Sequence, residues 1–462
     1  MAVQKPRNAP QPEQHHEGIA RITVGGFKSI AEEQSIEIRP LTILAGANSS
    51  GKSSIMQPLL LLKQTLDATY DPGALLLNGP NVRFTLADQL LARINGRRHS
   101  NLFSIAIENN SDTSISTHFV RNEKKGFAVE RTVYRVSEKE YDFYLGMPQE
   151  DINAIVFPKK RNQESSFLLD MGGGISLLLR LNRNISLTQA RCFLTLAINI
   201  REDSLHKSNT VVNIPMPGES RLTELIRKII HLPGLRGNPE RTYPVTAVGP
   251  EFPGTFETYV ASIIGQWQSE AKNDKLRKVN NDLFRLGLAR QVSVRSIDDT
   301  QVELRVNRFP HSSKNDSEDM VSIADVGLGV SQTLPVVVAI HAAEPDQLIY
   351  LEQPEIHLHP RAQSAMAEVL ADAAIAGKRL VVETHSSLLL LGIQTLVAEG
   401  KLPPELVKLH WFTMQEDGST KITSADLDET GAFGDWPEDF ATVTLESEDR
   451  YLDAAQKSLK GN

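Results

Sequence analysis

Eight consecutive residues, Gly46-Ala47-Asn48-Ser49-Ser50-Gly51-Lys52-Ser53, hold the densest chemistry in this chain. They satisfy G-x-x-x-x-G-K-[ST], a glycine-rich loop whose backbone N–H groups converge on phosphate oxygens. Gly46 and Gly51 let the backbone close around an anion, and Asn48, Ser49, Ser50 and Ser54 belong to the same cradle. Lys52 would neutralise phosphate charge, and the Ser53 hydroxyl would take one coordination position of Mg²⁺. The loop follows an apolar, strand-like run, Leu41 to Leu44, and leads into a helical one, Ile55 to Leu66, which is the context the motif requires. The partial positive charge at that helix's N-terminus adds attraction. These residues predict binding of ATP or GTP.

A second set of candidates stands far downstream. Leu348 to Leu351 reads as an apolar strand ending in Glu352, and a carboxylate at a strand's C-terminal edge is placed to hold the metal. Gln353-Pro354-Glu355 and His357-Leu358-His359-Pro360 follow. One strand further on, Leu380-Val381-Val382-Glu383-Thr384-His385 sets an imidazole just past a strand end. There it can donate to a γ-phosphate or to an attacking water. Upstream, Asp325-Val326-Gly327-Leu328-Gly329-Val330-Ser331-Gln332 precedes an apolar helix starting near Thr333. Glycines and a serine at a helix start form an anion site, one that need not serve the chain's own nucleotide.

The elements that must position these groups are legible as periodicities. Arg21 to Phe27 and Gln34 to Ile38 alternate apolar and polar residues, which predicts two short strands before the phosphate loop. Pro58 would remove one hydrogen bond from the helix that follows the loop and kink it. Short alternating runs between Ser100 and Leu145 predict an antiparallel meander. Residues 148–295 read as an inserted, mainly helical domain, interrupted by a loop-rich stretch from His231 to Pro244. Strands return at Gln291 to Val294 and Val302 to Val306, and the polar segment Ser312 to Asp319 reads as a mobile loop. From Ser322 onward helices alternate with apolar strands, the pattern of α/β organisation. The domain reading is a polar leader at 1–19, an N-terminal lobe at 20–147, the insert at 148–295, a C-terminal lobe at 296–440 and a tail at 441–462.

Composition narrows the class. The chain has 462 residues, 40% hydrophobic and 23% charged, as a soluble globular protein does. No apolar run approaches the roughly 20 residues of a membrane span. Cys192 is the only cysteine, so the chain can form neither an internal disulfide nor a zinc ribbon, and a reducing cytoplasm is the consistent compartment. The net charge of −8 opposes wholesale coating of nucleic acid. Basic residues nevertheless outnumber acidic ones from Lys159 to Arg241, and acidic ones dominate from Asp417 to Arg450.

Taken in order, these motifs resemble the ABC-type ATPase heads of the overcoming-lysogenization-defect (OLD) nucleases, RecF and the SMC-type proteins. More narrowly, the chain is similar to single-head prokaryotic AAA-family ATPases of anti-phage defence systems. The Gly26-Phe27-Lys28-Ser29 start, Gly46 to Ser53, Gly327 to Gln332, Glu352 to Pro360, Glu383 to Ser386 and the closing Gly431 to Phe440 carry the resemblance. It covers 22–66 and 321–440 well and the middle loosely. It implies an α/β ABC-type P-loop head, with a mixed sheet flanked by helices, N-terminal antiparallel strands and an inserted α+β domain.

The resemblance also implies a mechanism: ATP with Mg²⁺ is bound, and two heads dimerise around it. The segment holding Gly327, Gly329, Ser331 and Gln332 in one head meets the γ-phosphate held at Lys52 of the other. Gln89 is the candidate for the metal- and water-sensing glutamine, and His385 for the γ-phosphate contact. Two departures stand out. Gln353 occupies the general-base position and cannot accept a proton at neutral pH; such a base is commonly worth about 10²–10⁴ in rate. Glu352 stands where Asp is usual. Either Glu355 acts as base or turnover is slow and the ATP-bound state is the signal. The expected function is a sensor or switch controlling a separate effector such as a nuclease. The alternative is a RecF-like repair ATPase acting on DNA directly. Asp426 and Asp428 have the spacing of a nuclease pair but lie in a polar acidic loop, which disfavours an intrinsic nuclease.

Overall fold

Two short strands open the described chain, β1 (Ile19–Gly25) and β2 (Gln34–Glu37), paired antiparallel as their alternation predicts. β3 (Leu41–Gly46) is buried at every position, as a strand covered on both faces must be. In this computed structural model the described residues are 18–123, 126–157, 167, 170–171, 185–201, 209–270, 274–307, 319–434 and 450. α1 (Lys52–Asp67) begins directly behind the glycine loop and runs through Pro58. A small hairpin, β4 (Arg93–Ile94) and β5 (Arg97–Arg98), leads to β6 (Leu102–Asn109), β7 (Thr113–Asn122), β8 (Gly126–Val136) and β9 (Lys139–Tyr144). These last four are the expected meander. β6 buries Phe103, Ile105 and Ile107 on one face, and the antiparallel sheet has the order β2-β1-β6-β7-β8-β9.

The stretch 148–295 contains strands as well as the expected helices. It contains α2 (Gln149–Val156), then β10 (Ile185–Ala190), β11 (Phe193–Arg201) and β12 (Asn209–Ile214), which form a three-stranded antiparallel sheet. α3 (Glu219–Arg227) leads into β13 (Ile230–Leu232), and β14 (Tyr243–Pro244) precedes α4 (Val260–Ser269) and α5 (Asp274–Arg285). Cys192 to Ile198 are buried at every position, so β11 is covered on both faces and shows no alternation of burial. β13 pairs parallel with a strand that lies more than a hundred residues later.

β15 (Val292–Ser296), β16 (Gln301–Asn307) and β17 (Met320–Ser322) make a small antiparallel sheet with β14. The remainder alternates as expected: α6 (Leu328–Ala342), β18 (Leu348–Glu352), α7 (Pro360–Ile375), β19 (Arg379–Glu383), α8 (Ser387–Ala398), β20 (Val407–Met414) and β21 (Thr420–Ala425). The sheet that carries the site has the order β13-β18-β19-β3-β20-β21, parallel except for β21. It partitions two hydrophobic cores. Leu44, Tyr350 and Val381 face the core shared with α1 and the meander, whereas Ile43, Ile349, Leu351, Leu380 and Val382 face the core of α4 to α8. The C-terminal ends of parallel strands are where open α/β sheets bind ligands. Here those ends carry Gly46, Glu352 and Glu383.

Residues 1–17, 312–318, 435–440 and the tail apart from Arg450 lie outside the described residues, and with them parts of the leader, loop and closing-motif expectations. Among the described residues no helix is long and apolar enough to cross a membrane.

Candidate nucleotide site

The phosphate loop takes its shape from two glycines. Gly46 has φ 146° and Gly51 φ 97°, both in the region that side chains rarely adopt. A Cβ on Gly46 would collide with the Phe412 carbonyl, and one on Gly51 with the hydroxyls of Thr420 and Ser29. Thr420 Oγ1 donates to the Ser50 carbonyl at 2.8 Å, and its backbone N–H donates to the Ser29 carbonyl at 2.7 Å. The loop is thereby braced by β21 and by the turn after β1. Ser54 N–H donates to the Gly51 carbonyl at 2.9 Å, while Asn48 and Ser49 are exposed at the rim. The Ser50 hydroxyl is buried and makes no hydrogen bond.

Lys52 is only 3% exposed, and its Nζ donates to the carbonyls of Gly46 at 3.1 Å and Ala47 at 2.8 Å. Burial lowers its pKa, against the pull of Glu383. His385 is held at the same place. Burial and then the Lys52 charge lower its pKa, while a bond with the Gly46 backbone raises it. Loop, ammonium and imidazole therefore meet at Gly46.

The carboxylate beside Ser53 is Glu383, not Glu352. Ser53 Oγ lies 3.0 Å and 2.9 Å from the two Glu383 oxygens, and Tyr350 Oη donates to Glu383 Oε2 at 2.9 Å. Strand order is the reason. β19 separates β18 from β3, so Glu352 starts one interstrand spacing of about 4.8 Å farther from the loop. Glu352 and Glu383 are register partners at the ends of β18 and β19. Burial is the main influence raising the Glu383 pKa, with Glu352 adding to it and Ser53, Tyr350 and Lys52 opposing. Glu352 has different partners: His231 Nε2 lies 3.1 Å from Oε1, and the Gly234 N–H donates to Oε2 at 3.0 Å. Its pKa is lowered; burial opposes this but is outweighed by His231, Gly234 and Arg236. Glu383 carried the same signal in the sequence as Glu352, an acid closing an apolar strand.

Gln353 adopts φ 45° and donates its backbone N–H to the Glu383 carbonyl at 2.8 Å, tying the two strand ends together. Glu355 is buried. Its Oε1 accepts from Thr384 Oγ1 at 2.6 Å and from the His385 N–H at 3.1 Å, and its Oε2 is buried with no hydrogen-bond partner. Burial raises its pKa despite these donors. Glu355 thus sits directly behind the turn that presents His385.

The Gly327 segment lies apart from this cluster. α6 starts at Leu328, earlier than the Thr333 expected, with Gly327 as an extended N-cap. Leu328 is 43% exposed, whereas Ser331 is 8% exposed and its hydroxyl donates to the Leu328 carbonyl at 3.2 Å. Gly329 passes close to the His357 carbonyl. Gln332 is buried, and its Nε2 donates to the carbonyls of Arg236 at 2.8 Å and Gly237 at 3.1 Å, so its amide serves the fold. Gln89 Oε1 accepts from the N–H groups of Thr85 at 3.0 Å and Leu86 at 3.2 Å. Its carbonyl caps a local turn and is not brought to Ser53. Asp426 pairs with Lys408 and Arg39, and Asp428 accepts from Thr430 and Ala432; each acid of that pair has its own structural partners.

Two family models match the chain. "AAA ATPase domain" covers residues 18–176, and "AAA domain, putative AbiEii toxin, Type IV TA system" covers residues 257–391. No curated protein matches. Solved structures similar to it include an SMC head bound to the C-winged helix domain of ScpA, at 12% identity and TM-score 0.46 over 89% of this chain and 98% of that one. An SMC head with an extended coiled coil from Pyrococcus furiosus gives 12% identity and TM-score 0.45, over 95% and 100%. The SMC head domain from Thermotoga maritima gives 10% and 0.40, over 88% and 98%. The first family match contains the phosphate loop and the second contains Gly327 through His385, so AAA-type ATPase sequence accounts for both segments of this mixed α/β chain that hold the candidate residues.

Proposed function

We propose that this protein is an ATP-dependent switch: a head that binds ATP with Mg²⁺, closes on a second copy around it and hydrolyses it slowly. The observation that carries this reading is the Ser53–Glu383 contact beside Lys52 in a glycine loop. A hydroxyl and a neighbouring carboxylate are the oxygen donors that Mg²⁺ accepts alongside phosphate. The unpartnered Ser50 hydroxyl and the Cβ-free cradle at Gly46 and Gly51 fit a phosphate chain. Ser53 and Glu383 would hold the metal, with Glu352 one register away. When bound, the ion would neutralise charge on the phosphate oxygens. Lys52 would exchange its carbonyl contacts for β- and γ-phosphate oxygens, and His385 would donate to the γ-phosphate. Asn48 and Ser49 would border the opening, with Ser54 fixing the first turn of α1 behind it.

Gln353 cannot take a proton, so the group nearest to a general base is Glu355, whose pKa burial raises and whose Oε2 has no hydrogen-bond partner. Steady-state hydrolysis is expected to be slow in the native protein, absent in Lys52→Ala and lower by about 10²-fold in Glu355→Gln. Brisk turnover surviving Glu355→Gln would remove that assignment. The exposed start of α6 at Gly327 and Leu328 supports a contact with ATP held by a second copy. Light scattering should then detect dimers with ATP and monomers without it. The AbiEii-type match supports a defence setting in which the ATP-bound dimer controls a separate effector such as a nuclease. Copurification of a second polypeptide only with ATP present is the corresponding test.

A second reading, a head acting on DNA directly, is favoured by the β4–β5 hairpin, where Arg93, Arg97 and Arg98 are exposed. It requires ATP-dependent, salt-sensitive DNA binding that Arg93→Glu with Arg97→Glu abolishes.

A further inference from the structure

One loop grips both halves of the proposed switch. It leaves the parallel sheet at the end of β13 and runs through Gly237. Within β13, just before the loop, His231 Nε2 lies 3.1 Å from Glu352 Oε1, and in the loop the Gly234 N–H reaches Glu352 Oε2 at 3.0 Å. A carboxylate can only accept, so His231 Nε2 carries the hydrogen and Nδ1 accepts from Asn81 Nδ2, 3.1 Å away. Tyr350 stacks on the imidazole with ring centroids 5.4 Å apart and an interplanar angle of 10°. The imidazole is thereby locked to the carboxylate at the end of β18.

Farther along the loop, Arg236 is 5% exposed. One guanidinium nitrogen donates to the Glu352 backbone carbonyl at 2.9 Å, and the other donates to the Gln332 carbonyl in α6, also at 2.9 Å. Gln332 answers with its side-chain amide on the carbonyls of Arg236 and Gly237. Burial pushes the Arg236 pKa down to about 10, against Glu257, Glu352 and Glu355, so the group stays cationic at neutral pH. Burying a charge is costly unless its donors are satisfied. This one is placed across two elements that have no strand pairing between them. The planar guanidinium holds its two acceptors at a fixed separation, which a flexible ammonium would not do.

We infer that Arg236 is a positioning residue that carries the state of the nucleotide site, felt at Glu352, to the first turns of α6. Glu352, attracted by a bound metal ion, would loosen from His231 and the Gly234 N–H, and its strand end would shift. Arg236 moves with the Glu352 carbonyl and displaces Gln332, changing how Gly327 to Ser331 is presented. The inference rests on the proposal that Lys52 and Ser53 bind ATP, and adds how binding in one head prepares its α6 for the next.

Hydrogen exchange of the full-length native protein with and without ATP and Mg²⁺, at a concentration where light scattering shows monomers, tests it separately from dimerisation. Exchange across 328–334 should change by about threefold or more on ATP binding in the native chain. In Arg236→Lys and in Gln332→Met, bound ATP should leave that segment unchanged, while the ATP affinity of the monomer stays within about threefold of native and each variant still melts cooperatively, at a lower temperature because buried hydrogen bonds are lost. An unchanged 328–334 segment in ATP-bound native protein overturns the inference, as does a full response in both variants. A native head that stays monomeric yet responds through Arg236 defeats the dimer reading and leaves the relay standing. A native chain that binds no ATP defeats both. Should Arg236→Lys fail to fold, Gln332→Met tests the other part of the link, since it removes the amide contacts to the Arg236 and Gly237 carbonyls and leaves the Gln332 carbonyl in place.

Discussion

At the residue scale, the site separates two carboxylates that look alike in sequence. Glu383 faces Ser53 and Tyr350; Glu352 faces His231 and Gly234. Their substitutions should therefore differ in kind. Glu383→Gln is expected to lower ATP affinity about tenfold or more with Mg²⁺ and to leave affinity in EDTA unchanged, as calorimetry would measure. Glu352→Gln keeps an acceptor for His231, so its effect with Mg²⁺ should be smaller. Equal losses for the two would return the primary metal contact to Glu352. Of the candidates named from sequence, Lys52, Ser53, Glu355 and His385 converge through a connected set of contacts. Gln89 and Gln332 spend their amides on backbone groups. Nothing in a one-dimensional reading separates a glutamine that caps a turn from one that reaches a nucleotide.

At the element scale, the phosphate loop depends on backbone geometry that few residues adopt. Gly51→Ala would place a methyl group against Thr420 and Ser29 at φ 97°. The cost should be about 1–3 kcal/mol of stability, read by denaturant melts, together with weakened ATP binding. A second element-level prediction concerns α3. Glu219 Oε2 accepts from the Met216 N–H at 2.7 Å, and burial pushes the carboxyl pKa up from 4.5 to about 7. A folded-state pKa raised above the unfolded value means the contribution is fully present below about pH 4.5 and is lost as pH rises to about 7. Glu219→Gln should remove that decline and raise stability above pH 7 by up to about 3 kcal/mol. Chemical melts of both proteins from pH 5 to 8 would detect it, and parallel curves would refute it. The strand–loop–helix at 41–66 and the meander were legible because each is written in local periodicity and glycine placement. The sheet β10-β11-β12 was missed because its central strand, buried continuously from Cys192 to Ile198, shows no alternation, and partners across the sheet decide its conformation.

At the scale of the whole molecule, the parallel sheet joins segments from 41 to 425 into one surface, with a core on each side. A ligand held at its C-terminal edge contacts residues from β3, α1 and β19 together, so it should stabilise the chain as a unit. ATP at about 100 times its dissociation constant adds about 2.7 kcal/mol, or about 3 °C in melting temperature for a chain of this size. Closure of two heads would make that shift grow with protein concentration. Differential scanning fluorimetry of native protein and Lys52→Ala, at two concentrations differing tenfold, measures both effects. A shift that ignores concentration would speak against ATP-driven pairing.

The sequence alone determined the phosphate loop, the order of the motifs and the α/β class, because glycines, capping residues and apolar periodicity act on neighbours in the chain. Only the tertiary structure decided which acid meets Ser53, that β13 edges the same sheet, and that Arg236 spans Glu352 and Gln332. Those contacts join residues about a hundred or more positions apart. Strand order and burial choose them, and neither is encoded in any short window of residues.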